Sequence, residues 1–316
     1  MLIMDQEAWL AEREAHRERV EPWVRDRLER GQRGEKHPVY DFLFEYYAFR
    51  PAHLKRYSPG PGVLLEGAER FSLDWPDHYT ISERGAIIEV SAFQTRRLPM
   101  LRWGIRFLKT TLERAPVFHC FGLHEWAMVY RTPEVRHDKV PLRLSQQELA
   151  RFVESQNLCC THFDAFRFFT LEAKPRNRYE LERSSVTEHD QPGCIHANMD
   201  LYKWSFHQAP FIASKLIADA FELAWMARKI DMRASPYDLS ALGFEPIAIE
   251  TRAGREEYVA WQRKLHELSQ PVRERVLQAY QHIEKQVSDH VGMVGNFSNG
   301  TSSWSPHDSA ASTGSR

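Results

Sequence analysis

The chain has 316 residues and a mass of 37.1 kDa, with 42 Lys and Arg against 43 Asp and Glu, so its formal net charge is -1. That balance argues against broad, non-specific binding to duplex nucleic acid, which needs a basic surface, although it leaves room for a local basic groove. Hydrophobic residues at 42% and charged residues at 27% are the proportions of a folded protein facing water, and the length suffices for a large core.

From Asp5 to Gly31 apolar residues recur at helical spacing (Trp9, Val20, Trp23, Val24, Leu28) among Arg and Glu. This predicts an amphipathic helix capped by Asp5 and ended by Gly31. Pro38 to Phe49 is apolar nearly all round and reads as a helix buried in the interior, with Pro38 at its first position. Ser58-Pro-Gly-Pro-Gly62 breaks the chain. Val63-Leu-Leu and Ile87-Ile-Glu-Val90 then have the short apolar pattern of a small hairpin.

A helix begun or kinked at Pro99 follows, with Leu98, Leu101, Ile105, Leu108 and Leu112 on one face, and Phe118 to Tyr130 reads as another helix. Ser145-Gln-Gln-Glu148 predicts a capping box opening a helix to about Gln156, and Thr161-His-Phe-Asp164 has the same form. Residues 171–192 read as a polar surface loop. Helical patterns resume at Ala197–His207 and Ser214–Ile230; Asp231 to Leu239 reads as a turn. Arg255 to Val287 reads as a long charged helix, broken at Pro271. From 288 to 316 Gly, Ser, Asn and Thr replace periodicity, the pattern of a disordered tail. The expected fold class is therefore mainly α: a single large, bundle-like helical domain over 1–287 with a small β element.

Cys120, Cys159, Cys160 and Cys194 form no CxxC pair and no secreted framework, so they are expected as buried thiols in a reducing compartment. No apolar run approaches a membrane span, and the opening residues lead into a charged helix, unlike a signal peptide. Both features predict a soluble, cytoplasmic protein with no membrane partner.

Chemistry concentrates in four apolar segments: His37 to Glu45, Gly122 to Trp126, His162 to Asp164, and His196 to Lys203. Burying imidazole or carboxylate is costly unless partners are supplied, so polar groups in separate apolar segments are expected to meet. Asp41 and Glu45 share a helical face by spacing, as do His196 and Asp200. His124, His162, His196 and Asp200 are the candidate ligands for a divalent transition metal, iron first, then zinc or manganese. Asp41, Glu45 and Glu125 are the candidate catalytic carboxylates. Lys203, Arg233 and Arg50 sit in aromatic or turn contexts and are the candidate clamp for an anionic group. A metal-free acid–base or ligand pocket is the next reading of the set, and a structural network of ion pairs the third. No P-loop, dinucleotide fingerprint, nucleophile elbow or HExxH motif is present.

The stretches EKHPVYDFLFEYYAFRPAHLKRYSPGPGVLLEG, FGLHEWAMVY, HFDAFRFF, QPGCIHANMDLYKW and DMRASPYDL resemble those of a bacterial and plant family commonly labelled 3-methyladenine DNA glycosylase. The resemblance runs from the first helix to about Val287 and implies base excision from DNA, without implying any particular catalytic residue. The residues themselves point first to a metal-dependent enzyme, oxygenase or hydrolase, acting on a small polar or anionic molecule. Glycosylase activity and a non-enzymatic ligand- or haem-binding role are the alternatives.

Overall fold

The computed structural model describes residues 1–133, 135 and 139–298. In chain order the helices are α1 (Gln6–Gln32), α2 (Phe42–Tyr46), α3 (Leu98–Glu113), α4 (Leu123–Ala127), α5 (Gln146–Glu154), α6 (Phe163–Phe166), α7 (Val186–His189), α8 (Ile195–His207), α9 (Ser214–Arg233) and α10 (Arg252–Ser298). The strands are β1 (Leu2–Met4), β2 (Val63–Glu66), β3 (Tyr79–Ser82) and β4 (Gly85–Ile88). The protein is mainly α with a small β element. Among the described residues no helix is long and apolar enough to cross a membrane.

The centre of the fold is α8, packed most extensively on α9 and also against α10. Its Ile195, Met199, Leu201 and Tyr202 are buried, and α9 buries Leu216, Ile217, Phe221 and Leu223. The helix α10 runs unbroken past Pro271, and its buried Tyr258, Leu265, Val276, Tyr280 and Ile283 join the same core. At Gly104 of α3 a side chain would meet the Tyr280 ring at 2.6 Å, so this glycine permits the approach of α3 to α10. Arg273 of α10, itself buried, donates to Asn198 Oδ1 at 2.7 Å and fixes α10 against α8.

The sheet has the order β1-β2-β4-β3. The antiparallel pairs β2–β4 and β4–β3 extend the expected hairpin, while β1 adds a parallel edge, with Leu2 opposite Val63. Trp9 of α1 covers the sheet and donates Nε1–H to Glu66 O at 3.0 Å. Asp5 caps α1 as expected, accepting from Ala8 N at 2.8 Å.

Several local expectations are corrected. The expected helix over 38–49 contracts to α2, because the Asp41 carboxylate accepts the His37 N–H at 2.9 Å and the His37 ring accepts from Val39 and Tyr40, which makes a turn. Phe118 to Tyr130 yields only α4, since Phe121 (φ 45) and Gly122 (φ 75) are both left-handed and end any regular run. The capping box at Ser145 forms, but α6 is capped by His162 in place of Thr161, its Nδ1 facing Ala165 N at 3.3 Å. Asp231 lies in the last turn of α9 and not in the turn that follows. The end of the 171–192 segment dives inward: Asp190 and Gln191 are buried. The helix α10 continues beyond Val287 to Ser298, and the rest of the expected tail, 299–316, lies outside the described residues.

Candidate functional site

Two imidazole–carboxylate clusters lie side by side on α8, anchored by His196 and Asp200. The rear cluster gathers His196 with His124 of α4 and Asp231 of α9. His124 Nε2 stands 2.6 Å from Asp231 Oδ1, and His196 Nε2 stands 3.9 Å from Asp231 Oδ2. The two imidazole rings meet edge to face at 4.4 Å between centroids. One ligand atom from each of the three residues falls within 4.8 Å of the others. Gly122 makes this placement possible: its left-handed conformation turns the chain into α4, and a Cβ there would press on Ala234 and Tyr258 at 3.2 Å.

Arg228, one turn before Asp231 on α9, donates from one guanidinium nitrogen to Asp231 Oδ2 at 2.9 Å and to Glu125 Oε1 at 3.0 Å. All these groups except His196 are essentially shut away from water. Burial alone would raise the Asp231 carboxyl, but His124, His196 and Arg228 outweigh it and hold the acid well below the ordinary carboxylate range. Burial, reinforced by neighbouring His124, pushes His196 far below the usual imidazole range, so its ring is neutral and its lone pair available.

The front cluster consists of His162, Asp190, Asp200, Lys203 and Tyr47. His162 Nε2 faces Asp200 Oδ2 at 3.4 Å and Asp190 Oδ2 at 3.9 Å. Lys203 Nζ bridges Asp200 and Asp164, each at 3.3 Å, and Tyr47 donates to Asp200 Oδ1 at 2.7 Å. Burial opposes charge on His162, yet Asp190 and Asp200 prevail and raise it to about 9. Burial raises Asp190 to about 6, against the pull of His162. The clusters touch through the His162 and His196 rings, stacked at 5.3 Å.

The front cluster, Tyr47 apart, forms one wall of a cavity of about 790 Å³. Trp103, Phe107 and Trp204 make an aromatic side, and Arg96, Arg97 and Arg183 also line it. A cavity of this size holds a small molecule of ordinary metabolite dimensions.

The structure brings His124, His162, His196, Asp200, Lys203 and Glu125 of the expected set together, although in two clusters. His162 and Asp200 belong to the front cluster and not to the compact ligand group. Glu125 is the ion-pair partner of Arg228, away from the cavity wall. The remaining candidates are corrected. Asp41 is buried against Arg30 Nη2 at 2.6 Å, and Glu45 is exposed, 3.5 Å from Arg27 and 3.7 Å from Lys36. Arg233 serves the fold by donating to Glu245 O at 2.8 Å and pairing with Glu257 at 3.2 Å. Arg50 is an exposed residue before a short 3-10 turn and does not line the cavity. Asp231, Asp190 and Arg228 were not selected from the sequence.

The chain matches no family model, no curated protein and no solved structure.

Proposed function

We propose that the protein is a metal-dependent enzyme that acts on a small polar or anionic molecule bound in the cavity, with His124, His196 and Asp231 as the metal ligands. The observation that carries this reading is the convergence of two imidazoles and one carboxylate within 4.8 Å, drawn from three separate helices. That donor set suits a divalent transition metal with positions left open, non-haem iron first and zinc or manganese after it.

The environment fits such an ion. His196 is kept neutral and Asp231 ionised, the forms in which each residue binds metal. The guanidinium of Arg228 opposes a second cation, but it is neutralised by Glu125 and engages Asp231 through Oδ2, leaving Oδ1 directed at His124. A bound metal would take the place of the contact between His124 Nε2 and Asp231 Oδ1. When bound, the metal would supply activation of dioxygen or water. The protein's own contribution lies in the front cluster. His162, between Asp190 and Asp200, is placed to hand a proton to a group in the cavity, and Tyr47 and Lys203 hold Asp200 in position.

The test is elemental analysis of the purified full-length chain beside the His196→Ala and His124→Ala variants. Near-stoichiometric iron, zinc or manganese, lost in both variants, supports the reading; a metal content unchanged by either variant removes it. The base excision implied by the resemblance is assayed on the same samples. Release of 3-methyladenine from methylated DNA, undiminished by His196→Ala, would put a metal-free glycosylase in its place.

A further inference from the structure

One side of the cavity is aromatic. Trp103 and Phe107 stack in parallel at 5.2 Å with their planes 5° apart, and Trp204 leans on them at 5.5 Å and 5.3 Å. At the rim the charge is one-sided. Arg96 and Arg183 are exposed and Arg97 is half-buried, and among the described residues none of the three pairs with a carboxylate. Arg96 reaches only Gln94 at 3.0 Å, while Arg97 reaches the Gln208 side chain at 2.9 Å and the His207 carbonyl at 2.5 Å. The acids deeper in, Asp164 and Asp200, are already held by Lys203. The rim therefore offers uncompensated guanidinium groups, the preferred partners of carboxylate and phosphate.

We propose that the cavity binds an aromatic ring with an acidic arm. The ring lies against Trp103, Phe107 and Trp204. The acidic arm reaches the rim, where Arg96, Arg97 and Arg183 receive it. A simple aliphatic acid leaves the aromatic side unused, and a cation is repelled at the entrance. The volume of about 790 Å³ admits a mononucleotide or a heteroaromatic acid but not a duplex. This inference deepens the proposed function: it rests on the cavity being the substrate chamber, and not on the identity of the metal.

The experiment is isothermal titration of the full-length chain with adenosine 5′-monophosphate and quinoline-2-carboxylate, each beside its uncharged parent, adenosine or quinoline. At least one acid should bind about tenfold more tightly than its parent, with the advantage shrinking as salt rises. An Arg96→Ala/Arg183→Ala double variant, changed only at exposed positions, should abolish that advantage, and Trp103→Ala should weaken both acid and parent. Preference for the phosphate or for the carboxylate identifies the arm, and either supports the proposal. Silence of all four probes at millimolar concentration, equal binding of acids and parents, or indifference to the arginine variant overturns it. Metal content is read on the same samples. Probe binding in a protein without metal overturns the metal reading alone, and bound metal with silent probes overturns this inference alone.

Discussion

The rear and front clusters both set imidazole against carboxylate and both draw on α8, yet their charges are balanced differently. In the rear, Asp231 has His124 at one oxygen and Arg228 at the other, and the guanidinium also donates to Glu125 and to the Pro38 carbonyl, while its buried Nε has no partner among the described residues. In the front, Asp190 shows one oxygen to His162 at 3.9 Å, and the other has no partner among the described residues. The rear cluster is largely shut away from water and its carboxylate is engaged at both oxygens, whereas the front faces a cavity. Buried charge paired across helices fixes them in register, while charge lining a cavity is open to whatever binds there.

The sharpest way to break this contrast is to remove Asp231. Asp231→Ala leaves Arg228 and His124 without their shared carboxylate and is expected to cost about 3–5 kcal/mol in urea unfolding, together with all bound metal. A loss below about 1 kcal/mol would mean that the rear network does not hold the helices together. His196→Ala should empty the metal site with a smaller loss of stability than Asp231→Ala, because the His196 side chain makes no hydrogen bond among the described residues and only a 3.9 Å approach to Asp231. Equal destabilisation by the two variants would erase the distinction between holding the fold and holding the metal.

The front cluster should respond in the opposite sense. The folded chain raises Asp190 from 3.8 to about 6, so its contribution to stability is complete below 3.8 and is lost as the pH climbs through about 6. Asp190→Asn removes that loss and should raise stability at pH 7.5 by about 1–3 kcal/mol, with no gain at pH 3.5. Destabilisation at pH 7.5 would show that Asp190 is paired more completely than its geometry indicates. The smallest effect belongs to Tyr47→Phe, which removes one hydrogen bond to Asp200 and should cost about 1 kcal/mol in thermal unfolding.

Much of the helical frame was legible in the sequence because caps and periodicity are local. Asp5, Pro99 and the Ser145–Glu148 box act where they stand in the chain. The segments containing His124, His162, His196 and Asp200 were recognisable because imidazole or carboxylate in apolar surroundings demands a partner. Which partner was not legible, since that depends on how α4, α8 and α9 pack. His196 and Asp200 share a face yet serve different clusters, because α9 brings Asp231 to one and α6 brings His162 to the other. Asp190 was hidden in a stretch whose polar composition reads as surface, although its carboxylate ends in the interior. Asp41 and Glu45 misled for the complementary reason: their spacing suggested one helical face, but the chain turns at Asp41 and both acids meet α1 arginines.

The central claim is that two imidazoles and one carboxylate from α4, α8 and α9 form a metal centre behind the cavity. X-ray absorption at the edge of whatever metal co-purifies with the full-length chain tests it most directly. Scattering from two imidazole rings together with oxygen neighbours, reduced to one ring in His196→Ala where any metal remains, is the predicted result. A sulfur shell from the cysteines, or an all-oxygen shell indifferent to that substitution, would contradict it.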